Sequence, residues 1–159
     1  GMVFHSLSKR SSVPGLRSGF CAGDPDIVSV FARLRSHGNA GNPLPVIAAA
    51  AALWRDETHV LANRALYQEK FRIAESIIGN RFGFYKPPGG FFLWLDVGDG
   101  EAAAKELYRK AAVTVLPGRY LTREAGEGTA AGRPYIRVAL VHDDATTRES
   151  LERLRDALG

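Results

Sequence analysis

A long helical stretch near the middle of the chain constrains the fold more than any other feature. Pro45 suits the first turn of a helix, and residues 46–54 are rich in alanine. Asp56 is a candidate N-cap for a continuation, in which apolar residues recur at steps of three and four up to Ile78. Gly79 then ends the pattern. At about 1.5 Å per residue the stretch would be about 45 Å long, and an element of that length links two lobes or packs along a large one.

The residues after the long helix predict a compact α/β layer. Strands are predicted at three apolar segments, which are residues 91–97, 113–116 and 135–141. Helices are predicted at residues 100–112 and after an N-cap at Asp143 or Asp144. Loops rich in glycine are predicted at residues 38–45, before the long helix, and at residues 122–133. This β-α-β-β-α order is typical of a sheet with helices on one side.

The residues before the long helix do not complete a fold of their own. One strand is predicted to end at residues 3–5, and a second covers residues 16–22. A short helix is predicted at residues 26–34, with Asp24 or Asp26 as its N-cap. Neither strand has an obvious partner in the chain. We therefore expect this segment to be a piece of a larger domain whose remainder lies upstream.

Composition predicts an ordinary soluble globular protein and argues against several functions. Apolar residues make up 45% and charged residues 24% of the 159 residues. No apolar run free of charges reaches the roughly 18 residues that a membrane span needs. The net charge of +4 is spread along the chain without a basic stripe, which argues against nucleic-acid binding.

The cysteine and histidine content argues against a disulfide framework and a metal site. The single cysteine, Cys21, cannot form an internal disulfide, and it suits a small buried residue of a cytoplasmic protein. The four histidines show no metal-ligand spacing: His5, His37, His59 and His142. The glycines at 126–128 do not follow a strand and open a helix, so they do not indicate a nucleotide-binding loop.

The segment from Ser6 to Gly19 carries the most specific chemistry in the sequence. The hydroxyl residues Ser6 and Ser8 precede Lys9, and a Pro-Gly turn and Arg17 follow. Hydroxyls and an arginine together suit a phosphate-sized anion, and a neighbouring lysine can form an imine with a cofactor aldehyde. Taken singly, Lys9 and Arg17 would be solvated surface residues. Their joint pattern is what indicates a site.

Imine formation requires the Lys9 amine to be neutral for part of the time. We expect burial and the positive charges of Arg10 and Arg17 to favour that neutral form. His5 is close to Lys9 in sequence, but a structural role is the favoured interpretation for it.

This segment resembles the cofactor-lysine signature of the class I/II aminotransferases, which are fold type I pyridoxal-phosphate (PLP) enzymes. The signature is Ser-x-Ser-Lys, a Pro-Gly turn and Arg-x-Gly. The resemblance implies that Lys9 is the catalytic Schiff-base lysine, which also moves the proton between the substrate α-carbon and the cofactor. It further implies that Ser6, Ser8 and Arg17 hold the phosphate of pyridoxal 5'-phosphate.

The likeness continues in order toward the C-terminus. Residues 86–92 resemble the Pro-x-Gly-x-Phe segment that leads into the small domain of the family, and residues 115–118 resemble the strand before its active-site loop. Residues 135–140 resemble the strand whose arginine binds the substrate α-carboxylate, which implies this role for Arg137. The alternative for Arg137 is a surface residue on an edge strand.

The resemblance implies a domain order as well as a fold. Residues 1–45 would be a remnant of the large PLP-binding domain, residues 46–79 a linking helix or broken helix pair, and residues 80–159 the small C-terminal α/β domain. Within the family, the sequence around Lys9 and Pro117 most resembles the succinyldiaminopimelate aminotransferase branch of lysine biosynthesis.

The resemblance covers only the C-terminal part of the family. The residues that bind the pyridine ring in the family have no counterpart here, so we expect this chain alone to be inactive. The complete enzyme is expected to be a cytoplasmic homodimer that transfers an amino group between an amino acid and a 2-oxo acid. It would bind neither nucleic acid nor a membrane.

Three alternatives remain open at this point. The chain could be a piece of a fold type I lyase or synthase, since those enzymes reuse the same lysine and arginine. It could be an inert truncated module that folds and self-associates through apolar surface. The least favoured alternative is a basic binding module.

Overall fold

The computed structural model describes residues 1–38, 41–125 and 129–159 of the chain. The chain divides into two compact units, Gly1–Asn63 and Arg64–Gly159. This boundary falls inside the predicted linking segment. The assignment of residues 1–45, 46–79 and 80–159 to a large-domain remnant, a link and a small domain stays a prediction.

Each unit has its own set of helices and strands. The first unit contains β1 (Met2–Ser6), α1 (Leu7–Arg10), β2 (Gly19–Gly23), α2 (Pro25–Gly38), α3 (Leu44–Arg55) and the beginning of α4 (Thr58–Ile78). The second unit contains the rest of α4, β3 (Phe92–Asp96), α5 (Gly100–Ala111), β4 (Leu116–Pro117), β5 (Glu124–Ala125), β6 (Thr129–Ala130), β7 (Tyr135–Ala139) and α6 (Asp144–Leu158).

The two strands of the first unit pair with each other. Strands β1 and β2 form an antiparallel ladder in which Ser6 lies opposite Gly19. The expectation that these strands lack partners within the chain is therefore wrong. A hairpin was not apparent from the sequence because the connection is no tight turn: it holds the helical turn α1 and a 3-10 turn at Pro14–Leu16.

The long helical stretch is a pair of helices. The break between α3 and α4 falls at Asp56, whose Oδ1 accepts a hydrogen bond from the Thr58 N–H at 2.9 Å. Asp56 thus caps α4 as predicted. Asp24 does the same for α2, since its Oδ1 accepts from the Asp26 N–H at 3.0 Å. Helix α4 stops at Gly79, which has a positive φ of +58°.

A three-stranded antiparallel sheet organises the second unit. Its order is β3-β7-β4, so β7 is the middle strand. Side chains alternate along β3 and β7, and every second one is buried: Leu93, Leu95, Ile136 and Val138. That face joins a core with residues from α4, α5 and α6 that include Phe71, Ala74, Ile78, Ala103, Leu107, Leu151 and Leu154. The predicted α/β layer is confirmed.

Aspartates cap both later helices of the second unit. Asp143 precedes α6, and its Oδ1 accepts from the Thr146 N–H at 2.8 Å, which decides between the two predicted caps. Asp99 precedes α5 and accepts from the N–H groups of Glu101 and Ala102 at 3.1 and 3.0 Å. Hydrogen bonds from these backbone groups lower the pKa of both carboxyls.

Parts of the two predicted glycine-rich loops lie outside the described residues. These are Asn39 and Ala40 in the first loop and residues 126–128 in the second, so the interpretation of that glycine segment is not tested. Strands β5 and β6 pair within the second loop. None of the described helices has both the length and the apolar character needed to cross a membrane.

Candidate active site

The predicted cofactor lysine lies in a closed loop between β1 and β2. The Leu7 N–H donates to the Ser18 carbonyl at 3.1 Å, which ties the two ends of the loop together just beyond the strand pair. Leu7 is fully buried and anchors the first position of α1. Ser8 and Lys9 follow it in that helical turn, where Ser8 is half-buried and Lys9 is exposed.

Ser6 is the N-cap of the turn that carries Lys9. Its Oγ accepts a hydrogen bond from the Ser8 N–H at 3.1 Å. At the other end of the turn, the Ser11 N–H donates to the Leu7 carbonyl at 3.0 Å. The sequence around Lys9 therefore encodes a compact backbone turn closed at both ends, and Ser6 takes part in it.

Arg17 lies near the end of the same loop. It adopts a left-handed conformation with φ +48°, and its Nη1 donates to the Pro14 carbonyl at 3.1 Å. The fold thus brings Ser6, Ser8, Lys9 and Arg17 into one loop. Lys9 itself is exposed in this chain.

The Arg10 side chain contacts helix α3 and the junction between α3 and α4. Its side chain is 8% exposed, and its Nη1 donates to the Leu53 carbonyl at 2.8 Å. Its Nη2 forms an ion pair with Glu57, and its guanidinium lies 4.8 Å from the centroid of the Trp54 ring. The charge of Arg10 is therefore used to hold α1 against the end of α3.

A second polar connection follows immediately at Ser11. The Ser11 Oγ lies 2.8 Å from Nε2 of His59, and Nδ1 of His59 lies 2.9 Å from Oδ2 of Asp56. Hydrogen bonds from the His59 side chain and the Thr58 backbone lower the pKa of Asp56 to about 2. Ser11 itself is 8% exposed. In the sequence, Asp56 is apparent only as a helix cap and His59 only as one of four scattered histidines, so this network is not predicted.

Aromatic residues cover the outer part of the same region. The His5 ring stacks on Phe20 with 5.9 Å between centroids and meets the edge of Trp54 at 5.3 Å. Phe20 and Trp54 are also in edge contact at 4.9 Å. His5 therefore packs within a cluster of aromatic rings, and its interpretation as a structural residue stays a prediction.

The predicted carboxylate-binding arginine lies in the second unit, on the half-exposed face of the sheet. Arg137 is on the middle strand β7, opposite Trp94 of β3 and Leu116 of β4. The edge-strand alternative is therefore wrong. Its guanidinium stacks over Phe92 at 4.3 Å from the ring centroid, and it makes no hydrogen bond or ion pair with the part of the chain that the structure describes.

Other aromatic residues lie near Arg137 in the sheet, since Trp94 is its register partner on β3. Trp94 stacks on Tyr135 with 5.4 Å between ring centroids, and Phe92 packs against Phe91 at 4.0 Å. Each of these four rings is half-buried. A guanidinium that is partly desolvated by aromatic rings and keeps its hydrogen-bond donors available suits a planar carboxylate.

The elements of the two units, a lysine-bearing hairpin, a helix pair and a three-stranded sheet backed by helices, match part of a known fold. An aminotransferase structure from Neisseria meningitidis matches 99% of this chain with a TM-score of 0.89 and 45% sequence identity, over 40% of its own length. The sequence model of the family described as "Aminotransferase class I and II" matches residues 1–154. The chain belongs to that family, as its motifs predicted.

Curated relatives give the same result at lower identity. The chain is 32% identical over 154 residues to the 4-dedimethylamino-4-oxo-anhydrotetracycline transaminase OxyQ of Streptomyces rimosus, covering 96% of this chain and 41% of that protein. It is 32% identical over 165 residues to an LL-diaminopimelate aminotransferase of Moorella thermoacetica, covering 100% of this chain and 40% of that protein. The chain thus spans about two fifths of the length of these relatives.

Proposed function

We propose that this chain forms the lysine-bearing and carboxylate-binding part of a PLP-dependent aminotransferase. The family match over residues 1–154 is the observation that carries this proposal, because the matched range includes both Lys9 and Arg137. The reaction would move an amino group between an amino acid and a 2-oxo acid. We also propose that the complete enzyme is a cytoplasmic homodimer, in line with the resemblance and the single cysteine.

The residues of the closed loop suit pyridoxal phosphate by their chemistry. The loop offers a primary amine from Lys9, hydroxyls from Ser6 and Ser8, and the guanidinium of Arg17, of which one hydrogen bond goes to the Pro14 carbonyl. A guanidinium and hydroxyls match the charge and acceptors of a phosphate, and an exposed amine is accessible to an aldehyde. We propose Lys9 as the residue that binds the cofactor covalently, and Ser6, Ser8 and Arg17 as its phosphate ligands.

Arg137 would orient the substrate through its α-carboxylate. The guanidinium carbon lies 4.3 Å from the centroid of the Phe92 ring. Two parallel N–H donors of the guanidinium can hold both carboxylate oxygens. PLP, when bound, supplies an electron-withdrawing ring that stabilises charge at the substrate α-carbon. Lys9 would carry the proton to and from that carbon.

The proposed substrate branch rests on the named relatives and on the sequence around Lys9 and Pro117. The relatives include LL-diaminopimelate aminotransferases, which agrees with the diaminopimelate-related branch indicated by the sequence around Lys9 and Pro117. OxyQ has the same identity to this chain and a different substrate in its name. We propose a succinyldiaminopimelate-type substrate, to be tested by assay with that amino donor.

Borohydride trapping tests the role of Lys9. The purified chain is incubated with PLP, reduced with borohydride and mapped by peptide mass spectrometry. We expect the label to concentrate at Lys9 and to disappear in Lys9→Arg. Exposed lysines elsewhere, for example Lys105 and Lys110, serve as internal controls. Equal labelling of all exposed lysines would reject Lys9 as a cofactor residue.

Turnover distinguishes an aminotransferase from a lyase or synthase with the same residues. The chain is joined to the remaining three fifths of the family fold, and formation of the new amino acid is followed with and without a 2-oxo acid. An aminotransferase requires the 2-oxo acid, and Arg137→Lys should raise the KM for amino acids more than it lowers kcat. Elimination products formed without a 2-oxo acid would reject the proposal.

An inert module that self-associates is the second candidate. The first unit exposes large apolar side chains, which include Phe4 at 67% and Leu34 at 66%. Such surface invites pairing with another copy. Sedimentation of the purified chain from low to high micromolar concentration tests this candidate: a constant monomer mass would reject it.

A further inference from the structure

We propose that His59 is a positioning residue for Lys9, acting through Ser11 to hold the turn α1 in place. The importance of Lys9 rests on the proposed function, whereas the connection itself is a property of this chain. Two successive residues after Lys9 are each bound to the junction of α3 and α4. The connection through His59 is the one that can be dissected by matched substitutions.

Hydrogen-bond chemistry fixes the direction of this connection. Asp56 is a carboxylate with a pKa of about 2, so it accepts and cannot donate at neutral pH. The Nδ1 of His59, 2.9 Å away, must therefore carry the hydrogen. In neutral His59 the Nε2 is then an acceptor, and the Ser11 hydroxyl donates to it over 2.8 Å. Asp56 thus selects the tautomer of His59 that binds Ser11.

The Ser11 end of the connection controls the backbone of the turn. Ser11 is the C-cap residue of α1, and its N–H donates to the Leu7 carbonyl at 3.0 Å. Leu7 is fully buried and Ser11 is 8% exposed, so both ends of the turn are fixed while Lys9 between them is exposed. A lysine on so short a turn has its backbone position set by these two ends.

The neighbouring connection through Arg10 supports the same geometry. Arg10 binds the Leu53 carbonyl at 2.8 Å and pairs with Glu57, both at the junction of α3 and α4. The Arg10 Nη1 also lies 3.4 Å from the Ser11 Oγ. The two connections therefore converge on the last residue of the turn, and loss of one leaves the other to keep the unit folded.

The order Asp56, His59, Ser11 is also the order of a hydrolase triad, but the burial of Ser11 argues against that use. A nucleophile must reach its substrate, and Ser11 is 8% exposed. Its hydroxyl hydrogen is directed to His59 inside the unit. Labelling of Ser11 by a fluorophosphonate probe would overturn the positioning role, since it requires an accessible hydroxyl.

Two substitutions at His59 separate its two contacts. His59→Gln places an amide near the position of Nε2, so it keeps a partner for Ser11 and loses Asp56. His59→Asn places an amide near the position of Nδ1, so it keeps Asp56 and loses Ser11. Amide hydrogen exchange of the whole chain, resolved by NMR, reports on the Ser11 N–H directly. The Leu61 N–H, which donates to the Glu57 carbonyl at 3.0 Å, reports on the start of α4.

We expect His59→Asn to accelerate exchange at Ser11 by about tenfold and His59→Gln to change it by less than about threefold. Exchange at Leu61 should stay near the wild-type rate in His59→Asn, because Asp56 still caps the helix. Equal acceleration at Ser11 in both variants, or an effect at Leu61 alone, would show that His59 merely starts α4 and would overturn the proposal.

Ser11→Ala provides an independent variant that leaves His59 and its helix intact. It should accelerate exchange within α1, read at the Arg10 N–H, and adding His59→Asn should cause little further change, because both remove the same contact. Full additivity would overturn the proposal.

The yield of borohydride-trapped label at Lys9 should fall in His59→Asn and be retained in His59→Gln. If wild-type Lys9 is not labelled selectively, the cofactor role fails, while the exchange data still decide the role of His59.

Discussion

The two units of this chain are stabilised in different ways. The second unit has a continuous apolar core between its sheet and three helices, in which Leu95, Leu107, Ile136 and Leu154 are fully buried. In the first unit, α2 buries none of its residues. Leu7 is its one fully buried side chain among the described residues, and polar contacts of Arg10, Ser11 and His59 connect its elements. The predicted lysine site thus lies in the unit with the smaller core.

Because of this difference, the two predicted site residues are held in position in different ways. A residue such as Arg137 on the middle strand of a packed sheet is positioned by the same core that makes its unit stable. A residue such as Lys9 on a short turn depends on a few hydrogen bonds, each worth about 1 kcal/mol net. We therefore expect the two units to differ in global stability and in how sensitive they are to single substitutions.

The two tryptophans provide a separate reporter for each unit. The chain has two in total, Trp54 in the first unit and Trp94 in the second. Fluorescence of the Trp94→Phe variant therefore follows the first unit, and that of Trp54→Phe follows the second. Urea unfolding can then be measured for each unit in its matching background.

The largest expected effect is a core truncation in the second unit. Leu95→Ala should lower the free energy of unfolding by about 2–5 kcal/mol, because it removes buried methyl groups and leaves a cavity. Leu34→Ala in the first unit should change it by less than about 0.5 kcal/mol, since Leu34 is 66% exposed. Urea midpoints of the matching single-tryptophan backgrounds measure both. An effect of Leu34→Ala as large as that of Leu95→Ala would mean that α2 is buried in solution, as self-association would cause.

Gly100→Ala should have the next largest effect. A Cβ at Gly100 would lie 2.0 Å from the carbonyl oxygen of Tyr135, which is backbone of the middle strand. Relieving that overlap requires α5 to move from the sheet, at a cost of about 1–3 kcal/mol. Gly89→Ala is the control, because a Cβ there meets no atom within 4 Å. Equal urea midpoints for the two variants would contradict the close packing of α5 on β7.

Arg10→Lys tests whether polar contacts hold the first unit. Lysine keeps the charge, but it cannot bind the Leu53 carbonyl and Glu57 with one rigid group as arginine does. We expect a loss of about 1 kcal/mol in the Trp94→Phe background and no change in the Trp54→Phe background. Arg17→Lys is the control, since Arg17 is exposed. A loss in both backgrounds would show that the units do not unfold separately.

The difference between the two units also explains how much of each fold could be predicted from the sequence. The second unit was predicted well, because alternating strands and amphipathic helices record the burial of Leu95 or Leu154 directly in the residue pattern. The pairing of β1 with β2 was missed, because a hairpin interrupted by a helical turn has no short-range signature. The contact of Ser11 with His59 spans 48 positions, and single polar residues at that spacing carry no periodic signal.

The candidate site residues also differ in how well the sequence predicts them. Lys9 and Arg137 were predicted because their motifs resemble those of a family, and that resemblance carries information about binding that burial patterns do not. The rings of Phe92 and Trp94 around Arg137 were predicted only as strand residues, because which face of a strand is half-exposed depends on what packs on the other face.

Acid titration at Asp56 should give the smallest effect. Hydrogen bonds from His59 and from the Thr58 backbone lower the pKa of Asp56 from 3.8 to about 2. Because the pKa in the folded chain is below the unfolded value, Asp56 stabilises the first unit fully above about pH 4, and this stability is lost as the pH falls through about 2.

In the Trp94→Phe background, Asp56→Asn should therefore lower the urea midpoint at pH 6. The difference from the parent should shrink below pH 4 and vanish only below about pH 2, since a protonated aspartate resembles asparagine in charge. Asp99 and Asp143 also have lowered pKa values, but both lie in the second unit and Trp54 does not report on them. A difference that grows as the pH falls would contradict the contact between Asp56 and His59 on which the position of the Lys9 turn depends.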